Sequence, residues 1–176
     1  MGPYACGIRL SRPRRTKLGD FRPARSGRPA LITLNADLAP YQMLLTLTHE
    51  IAHLMTWPNR GRRTKPHGAE WKARFGELLL ELAQDSALDD TFRTAIRRHS
   101  NNPRSSAMYD SDLYRALRKL EGDHQPLLED LSPGDHFRFH GRQFSLEKVN
   151  RSRCLVRALD DQSLYRIARL AVIEIL

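Results

Sequence analysis

The spacing of apolar and polar positions predicts three kinds of element in succession. Residues 4–10 and 30–35 read as short strands, and Pro23, Gly27 and Pro29 break the basic stretch between them, so a small antiparallel sheet is expected near the N-terminus. Over residues 36–57 the period lengthens to that of a helix. Leu44, Leu47, Ile51, Leu54 and Met55 fall within about one third of its circumference, with Asn35 or Asp37 as candidate cap, Pro40 in the first turn and Pro58 beyond the end. Such a helix is expected to pack by that stripe and to present His49 and His53 on the opposite side. A polar loop over 58–66 leads to a second helix at 68–84, whose stripe is Trp71, Phe75, Leu78, Leu79 and Leu82, and residues 89–98 extend the helical layer.

Residues 99–110, with Asn101, Asn102 and Pro103, have the composition of a linker. Short helices are expected at 111–121 and 125–131, and Pro133-Gly134-Asp135 marks a turn. Alternation then takes over, with strands at 136–140, 143–149, 153–159 and 164–168 and turns at 141–142, 150–151 and 160–161. The expected fold is α+β: an N-terminal sheet packed on helices over 1–100, a linker with short helices over 101–131, and a small antiparallel β module over 132–176.

The 176 residues are 40% hydrophobic, enough for a core and too much for a disordered chain. No apolar run approaches the roughly 20 residues of a membrane span, and no apolar stretch follows the N-terminal charges as in a secretory signal, so a cytoplasmic protein is expected. Cys6 and Cys154 alone support neither a disulfide framework nor a four-cysteine zinc site, and are read as reduced thiols. The net charge of +9 is unevenly placed: residues 1–35 carry 8 basic and 1 acidic group, and residues 131–176 carry 8 and 5. That excess suits a polyanionic partner such as DNA, with Arg12, Arg14, Arg15, Arg62, Arg63, Arg151 and Arg153 as candidate phosphate contacts. Trp57, beside Arg60, Arg62, Arg63 and Lys65, could stack an unpaired base or could simply pack at a helix end.

The sharpest chemical signal is His49-Glu50-Ile51-Ala52-His53, inside the first predicted helix. Histidines four apart share a helix face, so both imidazoles can reach one zinc ion, and the intervening glutamate can take a proton from water activated by the metal. Catalytic zinc takes a third protein ligand. His67, at the start of the second helix, is the candidate, and Glu70 and Glu77 compete with it. The metzincin spacing, with a third histidine six residues after the second, is absent. His136 and His140, about 13 Å apart along a strand, could not share an ion, and His99 and His124 read as solvated side chains.

Leu47-Thr48-His49-Glu50-Ile51-Ala52-His53-Leu54 followed by Pro66-His67-Gly68-Ala69-Glu70-Trp71-Lys72 resembles the SprT-like zinc metallopeptidases, the family of bacterial SprT and of Spartan-type DNA–protein crosslink proteases. The likeness covers roughly residues 5–85 and includes Leu31-Ile32-Thr33-Leu34-Asn35 before the metal helix. It implies a zincin-like helical core, one catalytic zinc held by His49, His53 and His67, and Glu50 as the base for peptide hydrolysis. It further implies a protein substrate, single-stranded or damaged DNA as a partner, and a place in the bacterial cytoplasm or nucleoid. Two features depart from the family: this chain cannot build the four-cysteine ribbon that often ends bacterial SprT proteins, and it lacks their longer N-terminal helical segment. Phe137-Arg138-Phe139, Phe144 to Lys148 and Arg151 to Cys154 are similar to C-terminal segments of other bacterial SprT-like proteins. The alternative from another class is a nucleic-acid-associated binding protein whose zinc site is structural or idle.

Overall fold

The computed structural model describes residues 5–25, 27–57 and 65–176, which form four α-helices and two sheets in an α+β arrangement. Chain contacts divide it into two compact units, Met1–Gly122 and Asp123–Leu176. The first opens with β1 (Cys6–Ser11), β2 (Gly19–Arg22) and β3 (Ala30–Asn35), in the order β1-β3-β2. Its sheet is mixed, not antiparallel as the sequence suggested, because β1 runs parallel to β3 and β2 antiparallel to it. Parallel neighbours need a crossover of about a dozen residues or more, and residues 12–29 supply one. They also hide β2, since Gly-Asp-Phe-Arg is short, polar and lacks alternation. Central β3 is apolar and almost wholly buried, as a strand covered on both faces must be.

Helix α1 (Pro40–Thr56) starts at Pro40 with Ala39 as its cap residue. Neither Asn35 nor Asp37 caps it. Asn35 instead ends β3, and its Nδ2 donates to the carbonyls of Arg14 (3.1 Å) and Lys17 (3.2 Å), pinning the loop that leads into β2. The expected stripe of Leu44, Leu47, Ile51, Leu54 and Met55 is only half-buried; the fully buried positions are Leu45, Thr46, Thr48, Glu50 and Ala52. A helix packed by one stripe cannot produce that pattern. α1 is covered by β2 and β3 as well as by other helices, and close approach favours small or polar side chains. The hydroxyls of Thr46 and Thr48 are satisfied within the helix by the carbonyls of Gln42 and Leu44.

The helical core joins Leu45 and Ala52 of α1 to Trp71, Phe75 and Leu79 of α2 (Ala69–Leu82), Phe92 and Ile96 of α3 (Asp90–Ser100), and Leu113 and Leu117 of α4 (Ser111–Leu120). Residues 101–131, expected as a linker, therefore divide between the two units, and α4 belongs to the first core. Polar composition misleads here because the polar groups bond to one another. His99 is 2% exposed, not solvated: its Nδ1 lies 2.6 Å from Asp110 Oδ2, and its Nε2 accepts the Arg104 backbone N–H (3.2 Å). The amide at Nε2 fixes the tautomer with the proton on Nδ1. Asp110 also caps α4 by accepting the Leu113 N–H through Oδ1 (3.1 Å). Asp110→Ala removes a cap and strands a buried imidazole N–H, so urea titration should show a loss of about 2–4 kcal/mol.

The second unit is an antiparallel sheet in the order β7-β6-β5-β4-β8, built from β4 (His136–Phe139), β5 (Arg142–Val149), β6 (Arg153–Ala158), β7 (Leu164–Ala168) and β8 (Glu174–Ile175). Four strands match the predicted ones closely; β8, two residues long, carried no signal. His140 and Gly141 have φ of 50° and 79° and form the two-residue hairpin turn, so His140 is a turn residue and not the end of a strand. Phe137, Phe144, Leu146, Cys154 and Val156 fill its core. Among the described residues no helix is long and apolar enough to cross a membrane.

Candidate metal centre

His49 and His53 stand one turn apart on α1, and the Nε2 atoms of the two imidazoles are 3.1 Å apart. His67 comes from the turn closed by Gly68 N–H on the Lys65 carbonyl (3.0 Å), just before α2. That turn brings its Nε2 to 3.1 Å from His53 and 3.2 Å from His49. Three imidazole nitrogens so close cannot all satisfy one another: each neutral Nε2 is either a donor or an acceptor, so at least one of the three contacts opposes two lone pairs or two N–H groups. A shared cation resolves the conflict. Ligands at about 2.0–2.1 Å around one tetrahedral ion are separated by about 3.3 Å, so the spacing fits a metal held by all three. Among the described residues this is the one group of three or more such side chains able to share an ion. Neither Glu70 nor Glu77 joins the group whose ligand atoms lie within 4.8 Å of one another, and Glu77 pairs instead with Arg74 (2.7 Å).

An aromatic shelf sets the imidazoles. Trp71, 2% exposed in the first turn of α2, lies with its ring centroid 4.7 Å from His49, 5.4 Å from His53 and 4.7 Å from His67. Phe75, one turn on, contacts both Trp71 (4.8 Å) and His49 (5.6 Å). Burial, and then the neighbouring His53 and His67, push the His49 imidazole down to about 3. It is therefore a neutral ligand at any ordinary pH.

Glu50 is 6% exposed and faces β2. Burial and the charge of Asp20 push its carboxyl up to about 7, against the opposing pull of the Phe21 backbone N–H. Asp20 itself stays below the usual carboxylate range: burial raises it, but hydrogen bonds from Lys17 (2.7 Å) and Arg22 (2.9 Å) outweigh that effect. The strand passes so near that a Cβ at Gly19 would stand 2.7 Å from Glu50 Oε1 and 2.8 Å from Thr46 Cγ2. Gly19→Ala must therefore displace the Glu50 carboxylate. Overpacking of this kind costs about 1–3 kcal/mol, so urea titration of the variant should show a loss of that size while metal analysis shows unchanged stoichiometry.

The triad and Glu50 line a cleft of about 740 Å³ whose floor is the face of α1 from Gln42 to Trp57. Arg15, Lys17 and the β2 segment form one side, with Phe75, His99 and the loop from Arg104 to Ala107 on the other. β2 and the His99 loop line the cleft without a signal in the sequence, because neither carries periodicity or a motif. Trp57 lines the cleft and also packs edge-on against Phe21 (6.1 Å), so both of its expected roles keep a physical basis.

The candidate phosphate contacts scatter. Arg14 is a structural residue, its guanidinium donating to Asn35 Oδ1 (2.8 Å), Thr33 Oγ1 (3.1 Å) and backbone carbonyls. Arg12 is exposed, Arg15 lines the cleft, and Arg151 and Arg153 are exposed in the second unit. Arg60, Arg62 and Arg63 lie outside the described residues. Much of the second unit's basic excess is paired within that unit: Arg142 with Asp160 and Asp161, Arg157 with Glu147, and Arg169 with Glu129.

Residues 4–85 match the family model described as SprT-like. Among curated proteins, Protein SprT of Salmonella newport (strain SL254), of Salmonella heidelberg (strain SL476) and of Salmonella agona (strain SL483) are each 30% identical in an alignment 97 residues long that covers 46% of this chain and 56% of the relative. The chain thus aligns with little more than half the length of the relatives it matches. No solved structure matches significantly.

Proposed function

Taking the SprT-like character of residues 4–85 as premise, we propose that the first unit is a zinc-dependent peptidase in which His49, His53 and His67 hold the metal and Glu50 is the base. The observation that carries this reading is the convergence of three imidazole nitrogens at 3.1–3.2 Å beside a buried carboxylate in an open cleft. Zinc, when bound by such a set, polarises a carbonyl and lowers the pKa of water to near 7. Glu50 takes a proton from the attacking water and passes it to the departing amine, so that a C–O bond forms as the C–N bond breaks. The Glu50 carboxyl, raised to about 7 in the metal-free protein, is poised to hold and return a proton near neutral pH.

The cleft floor spans 15 residue steps of α1, about 22 Å at 1.5 Å per residue. That length accommodates an extended segment of about six or seven residues at 3.3 Å each. Cleavage efficiency should climb with peptide length up to about that size and then level off, which a nested series of quenched peptides would measure. Equal rates on a tripeptide and a ten-residue peptide would contradict an extended binding mode.

The proposed substrate class is protein, including protein held on DNA. DNA contact rests on charge, with exposed Arg12 in the first unit and Arg151 and Arg153 in the second as its carriers. Binding to single-stranded DNA should then fall steeply with salt and with loss of these arginines. Binding indifferent to salt would remove DNA from the account.

A further inference from the structure

The cleft is lined by both aromatic and cationic side chains. Among the described residues, the lining beside the C-terminal half of α1 includes Phe21, Pro23, Trp57 and Pro66 together with His53 and His67. Arg15, Lys17 and Arg104 are the Lys and Arg residues among the described lining, Arg15 and Lys17 leading into Gly19 and Arg104 tied to His99, which packs on Phe75. The direction of β2 orders this lining along α1: Gly19 lies against Thr46 and Glu50, whereas Phe21 reaches Trp57 at the helix end. The loop carrying Arg15 precedes Gly19 and so borders the earlier turns of α1.

Of these cations Lys17 is paired with Asp20, whereas Arg15 and Arg104 have no carboxylate partner among the described residues. The carboxylates lining the cleft are Asp20, engaged by Lys17 and Arg22, and Glu50, buried beneath β2. The backbone beside Arg15 and at Arg104 is nonetheless held in place. Asn35 Nδ2 grips the carbonyls on either side of Arg15, at Arg14 and Lys17. Opposite, the Arg104 backbone N–H is tied to buried His99, which Asp110 holds in turn.

We propose that the cleft selects substrate segments with an acidic side chain on one side of the scissile bond, Arg15 and Arg104 being specificity-determining residues. The inference rests on the peptide-hydrolysis reading and names the substrate class for that site. A carboxylate entering a cleft lined by both guanidiniums gains charge-assisted hydrogen bonds that an amide or an ammonium does not. Nucleic-acid phosphate would use the same cations, but both line the cleft that also holds the candidate base Glu50.

The test uses the full chain loaded with zinc and quenched twelve-residue peptides, acetylated and amidated at their ends, in which Glu, Gln or Lys occupies each position in turn. The expected result is a preference for Glu over Gln of roughly 5- to 10-fold in kcat/KM, carried by KM and confined to one side of the cut. That ratio should fall toward one in Arg104→Ala and in Arg15→Ala, and with rising salt. The same ratio is to be read as affinity, by fluorescence anisotropy of labelled peptides on Glu50→Gln, so that it is measured even if no peptide is cleaved. Absence of cleavage with the affinity ratio intact would count against the hydrolysis reading alone. A ratio near one, or one that both arginine variants leave unchanged, would overturn the proposal. So would an oligo-dT strand that displaces the acidic peptide and loses as much affinity in Arg104→Ala as that peptide does, because the two guanidiniums would then belong to nucleic acid.

Discussion

Glu50→Gln is expected to lower peptide turnover by about 10²–10⁴-fold, the usual contribution of a positioned base, with metal content and fold unchanged. Glutamine keeps the size of the side chain, and size matters here because Gly19 leaves no room for anything larger. It also removes a buried carboxyl raised to about 7. In the metal-free protein the folded state holds that proton more tightly than the unfolded chain, so stability falls as pH rises from the ordinary glutamate value toward 7. The variant lacks that slope. Its metal-free form should therefore be at least as stable as the parent at pH 8, and thermal unfolding at pH 5 and pH 8 would display the difference. A variant that lost activity together with stability would mark Glu50 as a packing residue.

His67→Ala carries the second large effect. Two imidazoles on α1 would remain, and an ion held by only two protein ligands loses both affinity and fixed geometry. The loss should exceed the about 10–100-fold that removal of an outer partner costs, and activity should vanish at metal concentrations that saturate the parent. The metal-free fold should persist, because the core around Trp71 and Phe75 does not depend on His67. Equilibrium dialysis with zinc, beside circular dichroism of both proteins, separates lost ligation from lost structure. Unchanged affinity would return the third position to Glu70 or Glu77.

How far the sequence disclosed this site depended on where each residue sits. The convergence of His49 and His53 is legible because a helix repeats every 3.6 residues, and that of His67 because it opens the next helix. The β module was legible because polar and apolar residues alternate between clear turns. β2 was not: four residues with a glycine and two charges acquire strand character from the β3 edge they pair with. The parallel register of β1 and β3 depends on a crossover that leaves no local trace. His99 and Asp110 were read as linker residues because a polar pair looks the same in sequence whether it faces water or closes on itself in a core.

The account meets its most direct test in a zinc titration of metal-free protein, followed by hydrolysis of a quenched peptide of about eight residues. If the three imidazoles hold the catalytic ion, activity rises linearly with added zinc, breaks at one equivalent and stays flat, and the Glu50→Gln protein binds the same equivalent without cleaving. Full hydrolysis before zinc is added, or none at one bound equivalent, would contradict it.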